Sequence, residues 1–190
     1  MATLKHTLVA LVQDNPGVLN RITSLIRRRN FNIESIAVGH SATPGLSRIV
    51  IIVDGATTAV EQVRKQLDKL VEIVKITDIS EEDSISRELA LIKVEATPET
   101  RKEIVQIATD VFRANIVDLT PNSIVIEVKG DENKVSSLIE LLSGFGIIDL
   151  ARTGRIAITR GEMGPLPKQA PKPKRHKARK PQVAAQAKGE

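Results

Sequence analysis

Two stretches of the 190-residue chain carry the same succession of apolar patterns, and this repetition restricts the fold more than any other feature. In the first, the apolar run Leu4–Val12 leads into Asp14-Asn15-Pro16-Gly17. Asn15 is expected there as N-cap, with Pro16 at the first helical position, where a missing N–H costs nothing. Leu19, Ile22, Leu25 and Ile26 then share one helical face. Strands are predicted at Ile33–Val38 and Ser47–Val53, hinged on Thr43-Pro44-Gly45, and a second helix carries Val60, Val63, Leu67 and Leu70. Val71–Ile79 closes the segment as a strand, which gives the order βαββαβ.

The second segment repeats that order. Leu89–Glu95 reads as a strand, and Pro98 is expected to open a helix aligning Ile104, Ile107, Val111 and Phe112. Ile116–Leu119 and Ser123–Lys129 follow as strands. In the latter, Ile124, Ile126 and Val128 alternate with Val125, Glu127 and Lys129, the period-2 pattern of a sheet with one buried face. A helix with Val135, Leu138, Ile139 and Leu142 comes next, then apolar segments at Gly146–Leu150 and Ile156–Ile158. Each repeat predicts an antiparallel four-stranded sheet with two helices on one face. The fold class is α+β: two tandem ferredoxin-like βαββαβ domains at 1–79 and 88–161, an acidic linker at 80–87, and a disordered Pro/Lys-rich tail at 162–190.

Arg48-Ile49-Val50-Ile51-Ile52-Val53 has no polar alternation, so both faces of that strand require cover. Two helices on one side leave the other side open, and a second copy of the chain is the expected cover, hence a dimer or larger assembly.

Composition excludes several classes of chemistry. Cysteine is absent, which removes disulfides, thiolate metal sites and thiol nucleophiles. His6, His40 and His176 share neither a helical face nor a metal-ligand spacing. No phosphate-binding glycine loop, nucleophile elbow or zinc motif occurs. The chain is expected to have no catalytic residues and no metal site of its own. With no apolar run near the roughly 20 residues of a membrane span, and no leader pattern at its start, a cytoplasmic protein is expected.

The formal charge of +5 belongs to the tail. Residues 162–190 hold eight basic and two acidic side chains; residues 1–161 hold 20 basic and 21 acidic ones. An RNA-binding sheet needs exposed aromatics for base stacking, yet the chain has no Trp or Tyr and only Phe31, Phe112 and Phe145. Arg27-Arg28-Arg29 at the end of the first helix reads first as favourable charge at the negative end of the helix dipole, ahead of a nucleic-acid patch.

One loop remains. In Asp14-Asn15-Pro16-Gly17-Val18-Leu19 a helix N-terminus offers N–H groups to a carboxylate, Gly17 permits close approach, and Asp14 can neutralise an ammonium. The same residues would also make a well-capped strand-to-helix turn with no ligand.

On a βαββαβ frame this loop resembles the effector loop of ACT domains, modules that sense amino acids in metabolic enzymes. Arg28-Arg29-Asn30-Phe31-Asn32-Ile33-Glu34-Ser35-Ile36-Ala37-Val38 and Gly45-Leu46-Ser47-Arg48 resemble the acetolactate synthase (acetohydroxyacid synthase) small-subunit family more specifically. Arg87-Glu88-Leu89, Ile116-Val117-Asp118-Leu119-Thr120-Pro121 and Ala151-Arg152-Thr153-Gly154 resemble that family's second domain, and the likeness spans about Leu4 to Gly161.

The resemblance implies a regulatory subunit in valine, leucine and isoleucine biosynthesis. It would activate a large catalytic subunit, a transferase, and confer feedback inhibition by a branched-chain amino acid, typically valine. It implies no cofactor in this chain; thiamine diphosphate, magnesium and FAD would belong to the partner. It places the effector between the ACT domains of a homodimer, at Asp14, Pro16, Gly17, Val18 and Leu19, with Asn32, Ile33, Glu34 and Ser35 on the facing strand. Many relatives carry Asn where this chain has Asp14, an added carboxylate that favours an ammonium and repels the effector's own carboxylate. The competing expectation is a free-standing amino-acid-responsive regulator of another enzyme or of nucleic acid.

Overall fold

A computed structural model describes residues 5–162. The expected tail lies outside the described residues except for Glu162. The first repeat folds as β1 (Lys5–Gln13), α1 (Val18–Arg28), β2 (Ile33–His40), β3 (Leu46–Asp54), α2 (Thr57–Leu67) and β4 (Ile73–Asp78). Its sheet runs β2-β3-β1-β4, all antiparallel. The second repeat is β5 (Ser84–Glu95), α3 (Arg101–Gln106) continued by a π-helical turn (Ile107–Val111), β6 (Asn115–Leu119), β7 (Ser123–Gly130), α4 (Glu132–Ser143) and β8 (Ile147–Arg152). Its sheet runs β6-β7-β5-β8, and β9 (Ile156–Thr159) pairs with the start of β5. The tandem ferredoxin-like plan is therefore the fold.

Each unit has its own core on the helix side of its sheet. In the first, alternate residues Leu8, Ala10 and Val12 of β1 and Ile49, Ile51 and Val53 of β3 meet Ile22, Ile26, Val60, Val63 and Leu67. In the second, Ile92 and Val94 of β5 and Ile124, Ile126 and Val128 of β7 meet Ile104, Ala108, Val135, Leu138 and Leu142. Period-2 strands and 3.6-period helices thus put complementary apolar faces together, as the patterns require.

Four local expectations need correction. Asn15 is not the N-cap of α1; Gly17 is, with φ 86° and ψ −8°. Asn15 to Val18 form a turn closed by the Val18 N–H on the Asn15 carbonyl at 3.4 Å. Gly17 sits at the turn position that needs positive φ, behind the proline, so the helix starts later. Val18 is accordingly buried, and Leu19 is exposed.

Pro98 lies in a single helical turn ahead of the regular helix: the Arg101 N–H donates to the Thr97 carbonyl at 3.0 Å, Thr97 and Thr100 bond reciprocally through side chain and backbone, and α3 begins at Arg101. The π turn is the third difference. Its Phe112 N–H reaches the Ile107 carbonyl, five residues back. The extra residue in that turn breaks the 3.6 spacing on which the expected stripe rested. Ala108 takes the buried position, and Val111 is 71% exposed.

The fourth concerns the expected acidic linker. Ser84–Arg87 are strand, paired with Ile156–Thr159, and Arg160 reaches back to Asp83 both by N–H to carbonyl and by ion pair. Glu81 and Glu82 remain exposed.

The β5–β9 ribbon answers the question raised by β3. Val50 and Ile52 point away from the helices, yet are 2% and 0% exposed within a single chain. With Val9, Ile79 and Ala157 they make a third apolar cluster between the first sheet and the ribbon. Arg48, also on that face, donates from Nη2 to the Ala157 carbonyl at 2.7 Å and locks the ribbon down. The two-sided apolar strand is thus covered by the chain's own C-terminal segment, and does not by itself require a second copy.

Candidate functional site

The loop between β1 and α1 is tied at its base. Gln13 N–H donates to the Glu72 carbonyl at 2.8 Å and Asp14 N–H to the Gly45 carbonyl at 3.0 Å. No side chain caps α1, so its first-turn N–H groups keep the partial positive charge of a helix N-terminus. A Cβ on Gly17 would meet nothing within 4 Å, so the space beside the loop backbone is open. Asp14 points its carboxylate at His40 Nδ1, 3.4 Å away, and both side chains are well exposed.

The strand residues fall into two further groups. Asn32 and Ile33 border a shallow concavity along α1 with Asn20, Thr23, Ser24, Arg27 and Phe31. Its volume, about 360 Å³, is at the small end of ligand pockets. Glu34 and Ser35 face the second unit instead.

Loop and strand residues do not come together within one chain. Ile33 is level with Val53 and so with His6, while His40 at the far end of β2 is level with Ser47 and Val12, beside the loop. Seven residues of strand separate these ends, about 23 Å. One amino acid cannot span that distance. The strand β2 lies at the sheet edge, with one side unpaired among the described residues.

Glu34 and Ser35 take part in a contact between the two units that sequence reasoning missed. Lys5 Nζ donates to Glu34 at 2.6 Å and to Glu132, at the start of α4, at 2.9 Å. Glu132 also pairs with Arg155, whose backbone N–H donates to Ser35 Oγ at 2.8 Å. Alongside, Arg152 pairs with the buried Glu88 and donates to Ser136 Oγ at 3.2 Å. A cleft of about 380 Å³ lies between the units, lined by Glu34, Ser35, Glu88, Glu132, Arg152 and Arg155 with the Thr153–Gly154 turn. No local signal pairs positions 35 and 155; Ala151–Gly154 carries only a resemblance to the family's second domain.

The hydrogen bond from Lys5 holds the Glu132 carboxyl below the usual glutamate range, with Arg155 adding to the effect against partial burial. The bond to Glu34, and then that to Glu132, hold the Lys5 ammonium above the usual lysine range. The stability contributed by Glu132 is complete above its ordinary value and disappears as pH falls through the depressed one. That of Lys5 is complete below its ordinary value and disappears as pH rises through the raised one. Lys5→Met is therefore expected to move the Glu132 carboxyl midpoint upward in an NMR titration; an unchanged midpoint would refute the bridge.

Among the described residues no group of three or more His, Asp or Glu is placed to hold a metal ion. None of their helices is long and apolar enough to cross a membrane.

Residues 8–75 match the family described as AHAS small subunit-like ACT domain, and residues 87–161 the family described as small subunit of acetolactate synthase. A probable acetolactate synthase small subunit of Archaeoglobus fulgidus is 52% identical over 158 residues, 83% of this chain and 98% of that protein. The acetolactate synthase small subunit of Bacillus subtilis is 49% identical over 160 residues, 83% of this chain and 92% of that protein. The crystal structure of the acetolactate synthase small subunit from Thermotoga maritima superposes with a TM-score of 0.77 at 42% identity. It covers 84% of this chain and 99% of that one. By both halves of its sequence and by its fold, this chain belongs to the acetolactate synthase small-subunit family.

Proposed function

We propose that the chain is the regulatory subunit of a cytoplasmic acetolactate synthase in branched-chain amino acid biosynthesis. It binds a separate large catalytic subunit and raises its activity. It also carries feedback inhibition by a branched-chain amino acid, valine foremost. Thiamine diphosphate, magnesium and FAD belong to the catalytic partner. Membership of the family across both units carries this reading.

The effector site is completed by a second copy. Antiparallel pairing of two β2 edges would bring the His40 end of one strand, with its neighbouring loop, to the Asn32–Ile33 end of the other. The 23 Å separation in one chain is thereby removed. In that arrangement the α1 N-terminus and Gly17 receive the effector carboxylate, Asp14 faces the ammonium, and Asn32 and Ile33 of the second copy meet its remaining atoms. Inhibition then follows from linkage: an effector bound across two chains favours one arrangement of the pair, by no more than its differential affinity for the two arrangements.

The test is reconstitution with the large subunit encoded in the same genome. Acetolactate formation is expected to rise on addition of this chain and to fall again with valine. Absence of stimulation would refute the regulatory assignment; stimulation that valine, leucine and isoleucine leave unchanged would refute the effector site.

A further inference from the structure

The start of β2, where Asn32 and Ile33 sit, is an irregular part of the first sheet's edge. It is an edge strand, and its ladder to β3 shifts register between Ile33, opposite Val53, and Ser35, opposite Ile52. A bulge of this kind leaves a residue unpaired and bends the strand. The second unit makes one group of its contacts at that irregularity. Glu34 is held by Lys5, which is held in turn by Glu132. Ser35 accepts from the Arg155 N–H. Gly154 lies against the Ile36 backbone: a Cβ there would stand 2.1 Å from the Ile36 carbonyl oxygen, 2.6 Å from its carbon and 3.0 Å from the Ala37 nitrogen. Gly154 is not among the positive-φ glycines, so space, and not backbone freedom, demands glycine here.

We propose that the turn between β8 and β9 positions the effector strand, with Gly154 and Arg155 as positioning residues that set where β2 presents Asn32 and Ile33. The contacts stand in for the ladder that the bulge interrupts. Any side chain at 154 must force the turn and the backbone of β2 apart, since Ile36 O and Ala37 N belong to the strand itself. The consequence for inhibition rests on the effector site proposed above.

Gly154→Ala in the full-length chain tests this in two ways. Hydrogen exchange on the chain alone is expected to quicken in peptides covering β2, on the order of tenfold, while α4 peptides keep their protection. Unchanged β2 exchange overturns the proposal. With the catalytic subunit added, stimulation is expected to persist and the half-inhibiting valine concentration to rise on the order of tenfold. Faster exchange with an unaltered inhibition curve also overturns it, because the strand would then not need to be held. If none of the three amino acids inhibits the parent complex, the effector reading fails, and exchange alone decides the positioning role. Should Gly154→Ala not fold, Ser35→Ala removes a single hydrogen bond and is expected to quicken β2 exchange about threefold. Ser35→Thr, which returns the hydroxyl, is expected to restore it; no change in Ser35→Ala overturns the proposal.

Discussion

Ile52→Ala is expected to lower the melting temperature by roughly 10 °C, a loss of about 3 kcal/mol. Ile52 is 0% exposed on the face of β3 turned away from the helices, where Val9, Val50, Ile79 and Ala157 surround it. The ribbon over it is anchored along its length by β5–β9 pairing and by Arg48 on the Ala157 carbonyl. It cannot collapse fully into the space left by the removed side chain, so a cavity cost adds to the lost transfer energy. Thermal unfolding followed by circular dichroism reads the shift. Because the cover comes from the same chain, the difference between variant and parent is expected to be independent of protein concentration. A shift below about 3 °C, or one present only at high concentration, would refute intramolecular cover. Leu91→Ala supplies the contrast: Leu91 is 40% exposed on the second sheet, so its loss is expected to stay within about 0.5 kcal/mol.

Gly17→Asp is expected to abolish inhibition while stimulation of the catalytic subunit survives. Two effects operate, and they separate. Gly17 has φ 86°, a conformation that costs an L-residue on the order of 1 kcal/mol, less for Asp than for most. The new side chain has room within one chain, since nothing lies within 4 Å of its Cβ position. Its carboxylate would occupy the α1 N-terminus, which favours negative charge, and would repel the effector's carboxylate from the same place. The half-inhibiting valine concentration is expected to rise on the order of a hundredfold or more. Gly17→Ala carries the backbone cost without the charge and is expected to shift inhibition far less. Retained valine inhibition in Gly17→Asp would remove this loop from the effector site.

The candidate site was partly legible because its components are local. Asp14-Asn15-Pro16-Gly17 declares a turn before a helix through residue types that serve little else, and the turn is there, displaced by two residues from the expected cap. The displacement came from Gly17: proline and glycine in succession satisfy a β-turn before they satisfy a helix start. The resemblance places Asn32 to Ser35 together on the facing strand, but alternate strand residues face opposite ways and the bulge at Glu34 redirects them. Asn32 and Ile33 consequently border the concavity along α1, whereas Glu34 and Ser35 serve the contact between units.

The sequence by itself determined the two βαββαβ repeats and the helix-facing cores, through side-chain periods that relate positions two to four residues apart. It determined the family as well, through stretches that are continuous in the chain. Only the tertiary structure decided what lies on the other face of β3, which turn holds β2, and where the stripe after Ile104 leaves the core. The first two depend on Val50 meeting Ala157 and Ser35 meeting Arg155, residues more than a hundred positions apart. An apolar alternation states that a face must be covered; it carries no record of whether a distant strand or a second chain covers it.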